Sequence, residues 1–306
     1  MKKIIPAVLF LATVSCSLKN ADDTKSNKKY QINWSNFNLK GKIKSINEFN
    51  FQQYVPFSEL TYYVSKQYFK FDTAGHLLDE TTFLENEKFS TRYTYQHDKA
   101  GNYIVKHAFA KDSSIISKAT YEYDKAGNMM QAITYDRGGV VKMTDTYQYD
   151  KRGDIIEWKA SPNGILAKYN YTYDSKGRLL LMETATQWGG GNVDTDRKKY
   201  RYNGDTLEES RAGKYAEKIL TVNSSNQKPV WRKRIDPDGS YIMQAFKYDS
   251  SGNQTEYIEQ RSESIDDRHS YRYEYVYDDK GNWIKRTTTR LNGTLITSIE
   301  RKIEYY

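Results

Sequence analysis

Aromatic and polar positions alternate in a short pattern that recurs along most of the chain. In the segment Tyr121–Asn128, two tyrosines flank a glutamate and are followed by Asp124 and, three residues later, by Gly127. Alternation with a period of two is typical of a β-strand with two different faces. The aspartate can accept hydrogen bonds from the backbone amides ahead of it, and the glycine tolerates a positive φ. The pattern therefore predicts a strand that ends in a tight turn.

The turn glycine recurs at a nearly fixed interval. From Gly75 to Gly153 it returns every 26 residues, and further copies end at Gly177 and Gly281. Between them the pattern decays, and Asn226 stands where a glycine is expected. Each period has room for two strands and two turns, so the repeating unit is predicted to be a β-hairpin. Because one hairpin is marginal in water, the units must pack on their neighbours. We predict an all-β fold in which tandem hairpin repeats form one extended, twisted and curled antiparallel sheet.

The chain divides into three predicted parts. Residues 1–15 combine a charged start with a short apolar run, which predicts a lipoprotein-type signal peptide. Residues 16–29 are polar and predict a flexible tether. Residues 30–306 are predicted to form a single β domain. Its last segment, residues 299–306, is predicted to be an edge strand whose charges oppose sheet-to-sheet growth, and residues 187–197 are predicted to be an inserted loop.

Cys16 is the only cysteine, which leaves no disulfide framework and no thiolate metal cluster. It follows Thr13, Val14 and Ser15, a sequence that resembles a bacterial lipobox, in which the cysteine is acylated. We therefore expect Cys16 to be the lipidation site. The protein would then be an outer-membrane lipoprotein of the bacterial cell envelope, on the periplasmic side or at the cell surface. Ordinary secretion with cleavage nearby is the alternative.

The composition favours a thin core and a polar surface. Mean hydropathy is −0.87, and tyrosine (28 residues) far exceeds phenylalanine (11), so amphipathic rings must supply much of the packing. The net charge is +8, but acidic residues are interspersed with the basic ones throughout. This mixture is typical of a solvated sheet face and does not indicate nucleic-acid binding.

The repeated Tyr-Asp-x-x-Gly-Asn units resemble YD (RHS-type) repeats, which are known from Rhs toxins and teneurins. Together with the opening Leu39–Ile46, the closing Ile299–Tyr306 and the anchor signal, the chain is similar to short YD-repeat lipoproteins of Bacteroidota. The resemblance covers about Tyr62 to Tyr306 and implies a spiral of hairpins. Through the toxin-bearing relatives it also implies a partner or immunity-like role.

Motifs that carry chemistry are missing from the sequence. The histidines, His76, His97, His107 and His269, have no zinc-binding spacing, so no metal site is predicted. No phosphate-binding loop, nucleophile elbow or dinucleotide fingerprint stands in a strand-to-helix context, so no cofactor and no catalytic residue are predicted. A pair of carboxylates set by spatial separation, as in glycosidases, remains open, but nothing positive argues for an enzyme.

The tyrosine pairs are the best candidates for ligand binding. They stand at equivalent positions of successive repeats and form either rows of an open stacking platform or the core of the sheet. The sequence favours the core, because the chain has few other residues with which to build one. The inserted loop adds an exposed aromatic residue. The candidate ligand-binding residues are Tyr121, Tyr123, Tyr147, Tyr149, Tyr171, Tyr173 and Trp188.

The predicted function is that of a non-enzymatic lipoprotein of the cell envelope, acting as a binding or structural repeat scaffold. Its predicted partners are the membrane, through the lipid anchor, and a glycan or an envelope protein. The alternative is a glycan-binding or carbohydrate-active surface protein that uses an aromatic face containing Trp158, Trp188, Trp231 or Trp283. The second alternative is the immunity-like role that the resemblance implies.

Overall fold

The computed structural model describes residues 34–53, 61–84, 88–212, 216–261 and 264–306. Within these ranges the fold is all-β, as predicted, with two short 3-10 helices, Trp34–Phe37 and Asp267–His269. None of the helices in these ranges is long and apolar enough to cross a membrane. The strands are β1 (Ile43–Gln53), β2 (Thr61–Phe71), β3 (Leu77–Leu84), β4 (Lys88–His97), β5 (Tyr103–Phe109), β6 (Ile115–Tyr123), β7 (Met129–Asp136), β8 (Val141–Tyr149), β9 (Ile155–Ser161), β10 (Ile165–Tyr173), β11 (Leu179–Gln187), β12 (Val193–Asn203), β13 (Thr206–Arg211), β14 (Glu217–Asn223), β15 (Pro229–Ile235), β16 (Tyr241–Tyr248), β17 (Gln254–Arg261), β18 (Ser264–Ile265), β19 (Tyr271–Tyr277), β20 (Trp283–Arg290) and β21 (Leu295–Tyr305).

The sheet is closed. Each strand pairs antiparallel with its neighbour along the chain, except that β17 also pairs directly with β19 and the two-residue β18 pairs with β17 alone. The last strand, β21, returns to pair with β1, with Ile303 opposite Ile46 and Lys302 opposite Asn47. Among the described residues, twenty strands thus form a barrel.

Closure corrects three predictions. The extended, curled open sheet is wrong, because pairing of β1 with β21 leaves the two ends of the meander without a free edge. The resemblance to YD-repeat proteins is wrong for the same reason, since it implied an open spiral of hairpins. The predicted edge strand, residues 299–306, pairs with β1 from Ile299 to Tyr305 and with β20 at Ile299 and Glu300; it is therefore not the free edge of an open sheet.

The turn chemistry predicted from the repeat is confirmed. Asp124 Oδ1 accepts hydrogen bonds from the backbone amides of Ala126 (2.8 Å) and Asn128 (2.9 Å), and Gly127 has φ +87°. In the degenerate copy, the residue with positive φ (+62°) is Gln227 rather than Asn226. Because the hairpins alternate, the Asp-x-x-Gly turns that follow β2, β4, β6, β8, β10, β16 and β19 lie on one edge of the barrel, which we call the repeat rim. The other edge is the opposite rim.

Tyrosine hydroxyls connect successive hairpins along the repeat rim. The Tyr123 hydroxyl donates to the Tyr103 carbonyl oxygen (2.8 Å), which belongs to the preceding hairpin. Tyr248 makes the equivalent bond to the Pro229 carbonyl (3.0 Å). In these copies the tyrosine before the aspartate thus satisfies a carbonyl about one hairpin back. In another copy Tyr277 donates instead to a carboxylate oxygen of Asp249 in an earlier turn. Both kinds of bond give a physical reason for the Tyr-Asp pairing in the repeat.

One face of the sheet can be followed from strand to strand by register. Tyr95 on β4 lies opposite Lys106 on β5, and Lys106 lies opposite Ala119 on β6. Ala119 alternates onto the same side of β6 as Tyr121 and Tyr123. We call this the inner face, because a closed sheet buries its concave side, and we call the other side the outer face. The buried apolar residues of the inner face include Ile46, Phe69, Tyr95, Ala108, Ala160, Ala167 and Ile219.

The densest packing lies where the chain enters the barrel. Trp34 and Phe37 pack against a core cluster that includes Phe69, Phe71 and Ile43. The indole Nε1 of Trp34 donates to the Ile43 carbonyl (3.0 Å), and its backbone amide donates to a carbonyl in the first repeat turn. The entering segment therefore closes over the repeat rim beside β1, β2 and β21.

Two regional predictions have different outcomes. Residues 187–197 are not an inserted loop: they form the end of β11, a five-residue turn from Trp188 to Asn192, and the start of β12. The predicted signal peptide (residues 1–15), the lipidation site Cys16 and the predicted tether (residues 16–29) lie outside the described residues.

Candidate functional site

The six candidate tyrosines all lie on the inner face. Tyr121 lies opposite Ala132 on β7, which in turn lies opposite Asp145 on β8. Asp145 alternates onto the same side of β8 as Tyr147. The same register continues through β9 to β10. All six rings are partly exposed, so they are neither a sealed core nor a surface platform. They line the wall of the interior.

The tyrosines of β10 form a stacked row along the strand. The Tyr169 and Tyr171 ring centroids are 6.5 Å apart with an interplanar angle of 8°, and those of Tyr171 and Tyr173 are 6.3 Å apart with an angle of 27°. The Tyr171 hydroxyl donates to the Ile155 carbonyl (2.9 Å), and the Tyr173 hydroxyl donates to an Asp154 carboxylate oxygen. These hydrogen bonds anchor the hydroxyls of Tyr171 and Tyr173, and they hold the stacked rings in place.

Burial keeps these phenols protonated. Desolvation raises the pKa of Tyr121. It also raises that of Tyr171, where the Asp154 carboxylate raises it further. A phenol with a raised pKa remains a neutral hydrogen-bond donor throughout the physiological range. The row therefore presents apolar ring surface and neutral donors.

Trp188 does not join this row. It begins the turn between β11 and β12 at the opposite rim, where its side chain is 45% exposed. Its indole Nε1 donates to Asp194 Oδ2 (3.0 Å) across the turn. Tyr171 and Tyr173 lie toward the repeat rim, so the structure separates Trp188 from the tyrosines with which the sequence grouped it.

The other tryptophans divide between the two faces. Trp158 lies on the inner face opposite Tyr147, and its Nε1 donates to Asp145 Oδ1 (2.9 Å). Trp283 also faces inward, near Tyr275. Trp231 lies on the outer face. An aromatic face built from all four tryptophans is therefore not formed.

Charged groups also face the interior, and aromatic rings hold them. The Lys106 ammonium lies 3.9 Å from the Tyr93 ring centroid, and burial lowers its pKa. On the neighbouring strands, the Tyr95 hydroxyl donates to Glu80 Oε2 (3.0 Å). The inner face is therefore amphipathic, with paired charges among ring surfaces. Barrels with about 16 or more strands enclose a wider interior than side chains fill, which suits the partial exposure of these groups.

The outer face is polar and carries ion pairs. Exposed pairs include Lys44 with Glu304 (2.6 Å), which lies beside the closure, and Lys285 with Glu300 (3.0 Å) between β20 and β21. This distribution agrees with the mixed-charge sheet face expected from the sequence. A lipid-facing wall would need an apolar band instead, because each charge at mid-membrane depth costs about 2–4 kcal/mol.

Within the part of the chain that the structure describes, one group of potential metal ligands occurs, at the opposite rim. Oxygen or nitrogen atoms of Glu259, Asp266 and His269 lie within 4.8 Å of one another. Both carboxylates already have cationic partners: Arg261 Nη2 lies 2.9 Å from Glu259, and Arg261 Nε lies 3.2 Å from Asp266. The hydrogen bond from His269 lowers the pKa of Asp266. The group therefore acts as an ion-pair network that fixes the connection between β17 and β19.

One contact between two histidines was not predicted from the sequence. The His76 and His97 rings stack at 5.0 Å with an angle of 25°, although they belong to different repeats. Burial lowers the pKa of His97, and the neighbouring His76 lowers it further. In the register His97 lies opposite Tyr103, and His107 lies opposite Thr94. The two histidines stand at adjacent repeat turns, so the regular spacing of those turns could have suggested that their side chains are neighbours.

No protein-family model and no curated protein matches the chain. Among solved structures, it is similar to a porin-like protein from Bacteroides uniformis, with 12% identity and a TM-score of 0.35 over 87% of this chain and 99% of that one. It is also similar to a porin-like protein from Bacteroides vulgatus, with 12% identity and a TM-score of 0.21 over 86% of this chain and 98% of that one. Similarity at this level assigns no function to the chain.

Proposed function

We propose that the protein is a non-enzymatic binding protein of the cell envelope, and that its tyrosine-lined inner face holds a saccharide chain. The observation that carries this proposal is the convergence of six tyrosines from three successive repeats onto one partly exposed inner face. Concave sites lined by aromatic rings with a few fixed polar groups are typical of small-molecule binding. Sugar rings offer both the apolar faces and the hydroxyl groups that such a surface accommodates.

The two faces of the barrel support an interior site. The outer face carries paired, exposed charges such as Lys247 with Glu256 (2.7 Å), and these pairs need no ligand. The inner face offers partly exposed aromatic ring surface. Covering that surface with a ligand gains more free energy from desolvation than covering the charged pairs does. A ligand is therefore favoured on the inner face rather than around the wall.

Attachment to the envelope is proposed to come from the N-terminal anchor rather than from the barrel. The polar outer face favours a wall that stands in water, and Cys16 in its lipobox-like sequence supplies an acylation site. The test is metabolic labelling with an alkyne-palmitate analogue, comparing the natural chain with Cys16→Ala. Label that is lost in the variant supports the anchor, and no label in either chain contradicts it.

Binding is favoured over catalysis because interior carboxylates are already engaged. Glu80 accepts from the Tyr95 hydroxyl, Asp145 accepts from the Trp158 indole, and Glu259 is bonded to Arg261. Acid–base hydrolysis of a glycoside needs two carboxylates facing the same bond. The immunity-like role depended only on the YD-repeat resemblance, which sheet closure overturns, so it has no remaining support.

A glycan array followed by titration tests the proposal. The natural chain should bind at least one saccharide saturably, and Tyr121→Ala should weaken binding by about tenfold or more, as truncation of an aromatic anchor does. Tyr135→Ala, on the outer face of the neighbouring β7, is the matched control and should leave affinity unchanged.

Two outcomes contradict the proposal. Equal losses of affinity in Tyr121→Ala and Tyr135→Ala would place the ligand elsewhere. If no saccharide on the array binds, the ligand is not a saccharide. Turnover assays on every saccharide that binds separate binding from hydrolysis, because the proposal expects the bound saccharide to be recovered intact.

A further inference from the structure

Two arginines of neighbouring strands share one aromatic ring on the inner face. The Arg301 guanidinium carbon on β21 lies 3.3 Å from a Trp283 ring centroid, and that of Arg286 on β20 lies 5.8 Å from it. Tyr275 on β19 lies opposite Arg286 in the register. The cluster is thus built from three consecutive strands beside the closure, away from the tyrosines of β6 to β10.

Both guanidinium groups have unused hydrogen-bond donors. Arg301 has a side chain that is only 9% exposed, and its Nε donates to Glu48 Oε2 (2.8 Å). Its Nη1, however, is buried without a partner, and so is Nε of Arg286. Burying a donor of a charged group without an acceptor is costly. Within the described residues these two donors therefore have no acceptor.

Positive charge exceeds negative charge at this site. Glu48 is the acid bonded to the cluster, and it engages Arg301 from β1. Arg290, four residues farther along β20 on the same face, also has a buried Nε without a partner. Desolvation lowers the pKa of Arg301, and the nearby Arg286 lowers it further while Glu48 opposes both. Cations held this close favour an anion between or beside them.

We propose that Arg286 and Arg301 form an oxyanion-binding site in the barrel interior. The guanidinium group presents its N–H donors in a planar fork that matches the oxygens of a phosphate, sulfate or carboxylate. The Trp283 ring packs against the Arg301 fork and holds it beside Arg286. The Tyr275 hydroxyl already donates to the Gln254 carbonyl (3.0 Å), so the arginines supply the free donors.

This site does not depend on the tyrosine surface proposed above. It lies on different strands and selects by charge, whereas the tyrosines offer neutral ring surface. If both hold, the ligand is an acidic saccharide. If only this site holds, the protein binds an oxyanion without a neutral saccharide.

Calorimetric titration of the full-length chain at constant ionic strength tests the proposal. The probes are inorganic phosphate, glucuronate and, as the neutral counterpart, glucose. Phosphate or glucuronate should bind saturably, and Arg286→Gln should weaken that binding by about tenfold or more, because a charged hydrogen bond is lost. Arg286→Lys keeps the charge without the fork and should show a smaller loss.

The matched control is Arg272→Gln. Arg272 is on β19, on the outer face, 57% exposed and 3.6 Å from Glu256, so its loss should leave anion affinity unchanged. The proposal is overturned if neither phosphate nor glucuronate binds saturably. It is also overturned if both Arg286 variants bind the anion as tightly as the natural chain does, or if Arg272→Gln loses as much anion affinity as Arg286→Gln. If phosphate binds and glucuronate does not, the site is assigned to phosphate; the reverse assigns it to carboxylates.

Discussion

The two rims of the barrel use the same backbone turn but different side-chain chemistry. At the repeat rim Gly127 closes its turn with φ +87°, and at the opposite rim Gly139 does so with φ +79°. Aspartate carboxylates cap both turns in the same way, through Asp124 and Asp136. Among the described residues, the repeat rim adds tyrosine hydroxyls that reach the preceding hairpin, as Tyr123 and Tyr248 do, and the opposite rim does not.

This difference shows what the repeat encodes. The turn residues alone make a hairpin, and they make it equally well at either rim. Contacts between hairpins need the additional tyrosine, as in the bond from Tyr123 to Tyr103. At the opposite rim the turn residues vary, and there the chain places Trp188 and the network around Glu259. The repeat rim is therefore the conformationally fixed edge, and the opposite rim is free to differ.

The largest expected difference between the rims concerns the glycines. Gly75→Ala should destabilise the protein by about 1–2 kcal/mol through its positive φ and by about 1–3 kcal/mol more through overpacking. The additional cost arises because a Cβ at this position would lie 2.7 Å from the Trp34 ring. Urea denaturation measures the free energy of unfolding.

Gly139→Ala is the control at the opposite rim. Its φ is +79° and a Cβ there would meet nothing within 4 Å, so only the backbone cost of about 1–2 kcal/mol is expected. Equal losses in the two variants would contradict the packing of the entering segment on the repeat rim.

A smaller effect is expected from removing one hydroxyl at each end of β16. Tyr248→Phe removes the donor to the Pro229 carbonyl at the repeat rim and should cost about 1 kcal/mol. Tyr241→Phe, at the opposite rim, keeps the ring that contacts Lys233 and should change stability by less than about 0.5 kcal/mol. Thermal unfolding of both variants makes the comparison, and a larger loss in Tyr241→Phe would contradict it.

The repeat rim can also be made more regular. Asp154 stands where four other repeats have asparagine, and the asparagine amide, as in Asn128, donates to the turn aspartate (2.9 Å). Burial raises the pKa of Asp154, and the nearby Asp150 raises it further. Asp154→Asn should therefore stabilise the protein by up to about 1 kcal/mol at pH 7, while the reciprocal Asn128→Asp should destabilise it.

The contribution of Asp154 to stability changes with pH in a definite direction. Because the folded pKa of Asp154 lies above the ordinary value of 3.8, the folded state binds this proton more readily than the unfolded state, and the destabilising contribution of Asp154 falls as pH falls through that window. The advantage of Asp154→Asn over the natural chain should shrink over the same range. Denaturant titrations at several pH values measure it, and an advantage that grows on acidification would contradict the assignment.

The sequence was sufficient for the hairpins and their turns, because those depend on residues close along the chain. The alternation around Tyr121 and Tyr123 and the capping by Asp124 follow from local chemistry. Closure was not predictable, because it depends on pairing between β1 and β21, which are about 250 residues apart in sequence. The charges of Glu300, Lys302 and Glu304 fit an edge strand and an outer face equally well.

The interior site was predictable only in part. The tyrosine rows follow from the repeat, but whether they are core, platform or barrel lining depends on closure. The arginine cluster was missed because Arg286 and Arg301 belong to no repeat motif. The hairpin register, which places Arg286 opposite Tyr275, could have shown that this arginine shares the tyrosine face.

Closure of the sheet is the feature from which the two faces and the two rims follow, and a cross-link tests it directly. Asn47 on β1 and Lys302 on β21 are opposite each other, at a separation that a disulfide spans. In a Cys16→Ser background, Asn47→Cys with Lys302→Cys should form an intramolecular disulfide in the monomer on mild oxidation. Asn47→Cys with Lys168→Cys, on β10, should not. A monomer that never cross-links through the first pair, or that forms only dimers, would contradict the barrel.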